Sequence, residues 1–481
     1  MSKLVPKIGL EIHLELGTKT KLFCSCKNDP SETQPNKNIC EVCTGQPGVL
    51  PVLNKQAVIY AVSLAKALNM KINYQSIFVR KNYFYPDLPK NYQISQYENP
   101  LAEKGFLDIL RSNLEKRVRI RRLQLEEDTG RNIHLGNHSL VDFNRSGVPL
   151  IEIITEPDLN SVEEVEAFAE EFVLLIKYLG ISPLEAEKGQ IRFEANVSLG
   201  EGELLGTKVE IKNINKIKSL VEAVSYEIKR QEELIKKGEK IIQETRGYDE
   251  NKKITFSQRT KEEAEDYRYF FEPDLPPLII SEEIEKEMIV IETPAEIKKR
   301  FKEEYGIDYK ISQLLVRNKF WPHFFEETLS ELRKYSANYE EALKLLINFF
   351  LNDLLGNLEK YNLELREDLI SPHEFAHLLL SYSQKKISSR VVKEAIELSL
   401  KGEIKIEDFI REKEIISEAE VLDKIINEVI EENKKSVQDY LQGEEKAIEF
   451  LIGQVMKRTK GKANPEIVRE IIKDKLKNYA S

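Results

Sequence analysis

Between Ile8 and Leu16 the chain alternates, with Ile8, Leu10, Ile12, Leu14 and Leu16 apolar and Glu11, His13 and Glu15 standing between them. A period of two puts the two sets on opposite faces of a β-strand. The pattern returns where Ile191, Phe193, Ala195, Val197 and Leu199 are set against Arg192, Glu194, Asn196 and Ser198, and where Val209 and Ile211 oppose Lys208, Glu210 and Lys212. These segments predict an α+β domain: a largely antiparallel sheet with one charged face and one apolar face covered by helices. One such helix is predicted from Ser161, where Ser161 and Glu164 read as a capping box. Val165, Phe168, Phe172 and Leu175 then form an apolar stripe that ends at Gly180.

Beyond about residue 290 the pattern changes to helical spacing. Thr293-Pro294-Ala295-Glu296 supplies an N-cap, a proline at N1 and a glutamate at N3, and apolar residues recur through Leu314, Leu315, Phe324, Phe325, Leu343, Leu346, Phe350 and Leu354. A second break falls between Gly402 and Asp408, and Asn464-Pro465-Glu466 opens a last helix. The expected partition is a catalytic domain over 1–292, an all-α helical domain over 293–405 and a small α-helical tail over 406–481.

Length agrees with several domains, since 481 residues exceed what one core organises. The net charge of -10 argues against wholesale coating by nucleic acid, but charge is distributed unevenly. From Phe450 onward eight basic residues (Lys457, Arg458, Lys460, Lys462, Arg469, Lys473, Lys475, Lys477) face three acids (Glu466, Glu470, Asp474). That balance suits either a phosphate-contacting end or a solvated charged helix. The opening residues Met1–Lys7 have no apolar core of signal-peptide length, and a cytoplasmic protein is expected.

All four cysteines lie together as Cys24-x-Cys26 and Cys40-x-x-Cys43, a spacing that suits a structural zinc knuckle over 24–43. An iron–sulfur cluster, disulfides or unrelated free thiols are the alternatives. Glu11 and His13 sit at i and i+2 on one strand face, close enough to share an ion. Glu126-Glu127-Asp128 ends the strand from Val118 to Leu125, and Glu152 stands alone in the apolar run Leu150–Ile154. Carboxylates with one histidine suit Mg²⁺ or Mn²⁺ bridging to phosphate. A solvated face with local ion pairs is the competing reading. Arg119, Arg121, Arg122, Arg192, Lys208 and Lys212 share these faces, as expected beside bound phosphate and equally on any charged surface. The tyrosine-rich stretch from Arg80 to Tyr97 suits either a loop that stacks on bases or one packed back on the sheet. No P-loop or dinucleotide fingerprint is present, so any ATP is held on an open sheet.

Taken together, Gly9–His13, Gly48–Pro51, Arg80–Asp87, Leu125–Asp128, Asp142–Glu152, Lys212–Asn215, Gln243–Arg246 and the ending from Gly453 to Pro465 resemble the GatB/GatE family, the B subunits of tRNA-dependent amidotransferases. The resemblance covers essentially the whole chain. It implies a cradle similar to glutamine synthetase and guanidino kinases, a helical domain, and a tail resembling the YqeY family. The implied reaction uses ATP to phosphorylate the side-chain carboxylate of Glu-tRNA(Gln) or Asp-tRNA(Asn), after which ammonia displaces the phosphate. By the same resemblance Glu11, His13, Glu127 and Glu152 are expected to bind Mg²⁺, with Glu126 as substitute for Glu127. Lys81 and Glu194 are expected to orient phosphate, acyl group or ammonia, and Arg121, Arg192, Lys208 and Lys212 to contact ATP. The implied partners are an amidase-type A subunit, a small C subunit completing a heterotrimer, and misacylated tRNA. The family does not always keep the four cysteines, which makes zinc structural rather than catalytic. Two rival readings are a zinc-bearing tRNA-binding scaffold without its own active site, and a ligase acting on free amino acid.

Overall fold

A computed structural model describes residues 4–479 apart from 30, 203, 261–266, 336–337, 414–418, 443, 460 and 462. The chain divides into two compact units, Met1–Gln313 and Leu314–Ser481. Among the described residues no helix is long and apolar enough to cross a membrane.

The first unit is built on a nine-stranded sheet. Its strands in chain order are β1 (Leu4–Glu15), β2 (Lys71–Ile72), β3 (Ala102–Arg111), β4 (Leu114–Glu127), β5 (Pro149–Thr155), β6 (Ile191–Glu201), β7 (Val209–Ile214), β8 (Glu244–Asp249) and β9 (Ile254–Thr260). Across the sheet the order is β9-β8-β7-β6-β1-β5-β4-β3-β2. The pairing is antiparallel except between β7 and β8, which run parallel, so the expected largely antiparallel sheet is present.

The alternation on β1 is realised without exception. Ile8, Leu10, Ile12 and Leu14 are fully buried in a core shared with the helices α1 (Lys55–Ala67), α2 (Val162–Leu179) and α3 (Ile217–Lys236). Phe168, Phe172 and Leu175 supply the α2 side of that core, as the apolar stripe predicts. The start of α2 differs in detail from the expected capping box. Ser161 Oγ accepts from Glu164 N at 3.1 Å, but the Glu164 carboxylate reaches back one residue further, to Asn160 N at 2.7 Å. The helix still ends on Gly180, whose φ of 66° suits a residue without Cβ.

Thr293 and Glu296 do form a reciprocal capping box, opening α4 (Pro294–Tyr305). This helix packs within the first unit. Its Lys298 has no exposed surface and donates to the Leu110 carbonyl at 3.2 Å and to the buried carboxylate of Glu171 on α2. In the second unit Phe324, Phe325, Phe350 and Phe375 meet at ring separations of 5.5 to 6.4 Å. A separate apolar cluster, including Leu422, Ile426, Leu451, Val455, Val468 and Ile472, holds the tail helices together.

The tail's basic residues are partly neutralised at home. Arg458 pairs with Glu428 and Glu432, Arg469 with Glu449, and Lys475 with Asp423. Lys460 and Lys462 of the sequence count lie outside the described residues.

Because a buried carboxylate stripped of its partner is strongly destabilising, Lys298→Ala should lower unfolding free energy by about 3–5 kcal/mol in a denaturant titration. The double replacement Lys298→Met with Glu171→Leu, which removes both charges, should lose much less.

Candidate active site

Directly opposite residues of antiparallel strands share a face. On the polar side of the sheet His13 of β1 lies opposite Glu152 of β5 and Arg192 of β6, and Glu152 lies opposite Gln124 of β4. This row crosses the sheet as Gln124–Glu152–His13–Arg192. The next row carries Arg122, Ile154, Glu11 and Glu194, and on the other side Glu126 and Glu15 flank Leu150. Acids distant in sequence are thereby gathered by register alone.

They form two clusters. In the first, ligand atoms of His13, Glu126 and Glu152 lie within 4.8 Å of one another. His13 Nε2 stands 3.9 Å from Glu126 Oε1 and 4.0 Å from Glu152 Oε1. Burial, reinforced by the Arg192 and Lys81 cations, drives the His13 pKa down to about 3, so the imidazole is neutral and its ring nitrogen free to ligate. Burial and the neighbouring Glu126 raise Glu152 to about 8, and burial likewise raises Glu126, which accepts from Ser95 Oγ at 2.8 Å. In the second cluster Glu11, Glu194 and Glu210 bring one oxygen each within the same 4.8 Å limit. Asn196 Nδ2 donates to Glu11 at 3.1 Å, and the Thr245 hydroxyl donates to Glu210 at 2.9 Å. Lys212 Nζ lies 3.2 Å from Glu194 and 3.6 Å from Glu210.

Among the described residues two buried amide oxygens on this face lack hydrogen-bond donors, Gln124 Oε1 and Asn196 Oδ1. An unsatisfied buried acceptor is costly, and two beside the acid clusters fit the oxygen-rich environment of a hard divalent cation. A neutral histidine and clustered carboxylates complete that donor set.

Of the residues anticipated from sequence, Glu11, His13, Glu152, Glu194, Arg192 and Lys212 stand on this face. Lys81 joins from the strand Val79–Asn82; burial opposes its charge, but Glu126 and Glu152 hold its ammonium above the usual value. Its Nζ lies 4.9 Å from the Tyr267 ring centre and 5.9 Å from that of Tyr83. Glu127 does not join. Strand alternation turns it away from Glu126, and its carboxylate binds Lys90 and accepts from Ile94 N at 3.0 Å. Glu126 therefore takes the place expected of Glu127.

Arg121 is the extra residue of a β-bulge where Ile154 pairs with Arg122 and Thr155 with Ile120. It is half-exposed and ion-paired with Glu156 at 2.8 Å. Among the described residues no hydrogen bond or ion pair joins Lys208 to either cluster. Glu210 was legible only as one acid in a charged strand. Its alternation with Lys208 and Lys212 was the available signal, but nothing along the chain says that β7 lies beside β6. Arg192 also donates to Asp128 at 2.9 Å, and Asp128, helped by Arg145 and Arg192 against the effect of burial, stays well below the usual carboxylate range. Burial and that neighbouring anion push Glu15 up, so Glu15 carries the proton between them.

Next to this face the Sγ atoms of Cys24, Cys26, Cys40 and Cys43 lie within 4.8 Å of one another, and all four are free thiols. Cys40 N donates to Cys43 Sγ at 3.2 Å. Thiolates around tetrahedral zinc lie roughly 3.8 Å apart, so this donor set fits zinc with little rearrangement.

Residues 6–286 match the GatB/GatE catalytic domain, and residues 324–476 match the GatB domain of the YqeY-related type. The chain is 43% identical over 479 residues to the B subunit of the aspartyl/glutamyl-tRNA(Asn/Gln) amidotransferase of Persephonella marina, covering 98% of this chain and 99% of that protein. It is 44% identical over 481 residues to the protein of the same name from Thermotoga maritima, covering 97% and 98% respectively. The corresponding protein of Carboxydothermus hydrogenoformans is 43% identical, with 98% of each chain covered.

A carboxyl group with a pKa of about 8 is mostly protonated at pH 7, and a cation that ligates it must displace the proton. Magnesium binding should therefore release about one proton per chain at pH 7 and correspondingly less at pH 9. Calorimetry in two buffers of different ionisation enthalpy measures this, and Glu152→Gln should reduce the release.

Proposed function

The chain belongs to the GatB/GatE family of amidotransferase B subunits, and on that premise we propose that the polar sheet face activates the side-chain carboxylate of Glu-tRNA(Gln) or Asp-tRNA(Asn) for amidation. The observation that carries this reading is the pair of buried acid clusters set among fixed cations. A carboxylate is a poor electrophile until one oxygen becomes a leaving group. Its oxygen attacks the γ-phosphorus of ATP, ADP departs, and ammonia then adds to the acyl carbon as phosphate and a proton are released, leaving the amide.

His13, Glu126 and Glu152 would hold one Mg²⁺ and Glu11, Glu194 and Glu210 a second. Magnesium supplies screening between two anions and polarises the phosphoryl oxygens. Lys81 and Lys212 stand on either side of the clusters, where their ammonium groups can take up phosphate oxygens left uncovered. Arg192 is fixed by Asp128 and, with Lys81, reinforces the burial that keeps His13 neutral. Thr245 and Asn196 hold Glu210 and Glu11 in place.

On the same family premise ammonia is assigned to an amidase-type A subunit, with a small C subunit completing a cytoplasmic heterotrimer. In the proposed division of labour residues 1–292 form the cradle, 293–405 the helical domain, whose first helix α4 packs within the cradle's compact unit, and 406–481 the part that holds the tRNA body. The cysteine knuckle would carry structural zinc.

In the reconstituted complex, Glu126→Ala or Glu152→Ala should reduce tRNA-dependent ATP cleavage on the order of 100-fold or more, while glutamine hydrolysis by the A subunit and tRNA affinity persist. Undiminished phosphate release with altered tRNA affinity would instead make the chain a binding scaffold. Removing the residues after 443 should weaken tRNA binding, and the loss should be larger at low salt than at high salt, where phosphate contacts contribute little. A filter-binding salt series reads this.

A further inference from the structure

Among the largest fully buried side chains are two lysines, Lys298 and Lys21. Lys21 has no exposed surface, although it stands between a zinc-type knuckle and the loop that returns to β5. An ammonium removed from water without an anion is very unfavourable, and it normally finds a carboxylate or gives up its proton. Among the described residues no carboxylate lies within ion-pairing distance of Lys21. Its Nζ is 3.5 Å from Cys43 Sγ and 3.3 Å from the carbonyl oxygen of Phe143. Its hydrogen-bond partners are thus a sulfur and a carbonyl oxygen, and of the two only the sulfur can carry a negative charge.

Four thiolates around one zinc leave a dianion, which also needs compensation when it is buried. Each charge thus requires the other. We propose that Lys21 is the built-in counter-ion of the cysteine metal centre, acting through Cys43 to retain the metal and to couple its occupancy to the neighbouring sheet face. The inference rests on the zinc reading of the knuckle.

The coupling runs through backbone that Lys21 and Cys43 both touch. Ser146 Oγ donates to the Cys43 carbonyl at 3.2 Å, and Leu22 N donates to the Gly147 carbonyl at 2.8 Å. Gly147 N in turn donates to the carbonyl of Asp128 at 2.9 Å. Gly147 has a φ of 87°, and a Cβ there would meet Cys43 Cβ at 3.4 Å and Lys21 Cδ at 3.5 Å. The positive φ is what calls for glycine here, since the added Cβ would meet its neighbours only at ordinary contact distance. Asp128 carries Arg192, the cross-strand neighbour of His13.

The test uses the full-length chain. Metal analysis should find one zinc per chain in the wild type, and competition with a chromophoric chelator should show Lys21→Met binding zinc 10- to 100-fold more weakly. Lys21→Arg, which keeps the charge, should recover most of that loss. Equal retention by wild type and Lys21→Met overturns the counter-ion role, whereas a wild-type chain with no stoichiometric zinc overturns the metal reading itself. Lysine acetylation footprinting of the unaltered chain covers the case in which Lys21→Met does not fold. Lys21 should be protected with zinc bound and become labelled after chelation, and identical labelling in both states counts against the proposal.

Discussion

Everything on the polar face depends on β1 being paired on both sides, with β5 along one edge and β6 along the other. The apolar residues Ile8, Leu10, Ile12 and Leu14 are committed to the core beneath. A slip of one residue in either ladder would turn them into water and bury Glu11, His13 and Glu15 in their place. The hydrophobic effect therefore sets the register, and the register sets which acids face one another. Chemistry on one side of the sheet is positioned by packing on the other.

Placing carboxylates so close together raises the cost of ionising them, and the structure offsets this with cations from separate elements. Lys81 comes from a strand of a small neighbouring sheet, Arg192 from β6 and Lys212 from β7. Burial, reinforced by the cations, leaves His13 neutral, whereas Glu152 remains raised to about 8. Such a face is poised to exchange protons for divalent cations. The knuckle repeats the same logic with sulfur in place of oxygen, and there Lys21 is the compensating charge.

Much of this was legible along the chain because alternation is a local signal. The faces of β1, β6 and β7 followed directly from it, as did the apolar stripe of α2. What alternation could not settle was the phase at the end of β4, where the bulge at Arg121 and Arg122 lets Val118 and Ile120 as well as Leu123 and Leu125 point into the core. That phase decides between adjacent glutamates, and the structure places Glu126 with His13 and turns Glu127 to Lys90. Glu210 was missed for a different reason. Its partners come from β1 and β6, and strand order is a long-range property that no local pattern encodes. The basic tail was visible as composition, but composition could not show that Arg458, Arg469 and Lys475 are already engaged by acids of neighbouring helices.

The central position of β1 also dictates an order of events during synthesis. Residues Leu4–Glu15 leave the ribosome well before their partners, and neither neighbour exists until residues 149–155 and 191–201 have been made. At about 5–20 residues per second the strand waits roughly 10 to 40 s, with both edges and one apolar face unsatisfied. The sheet's middle is thus its earliest-made and latest-closed part, and the nascent chain must be shielded for that interval before the domain can form.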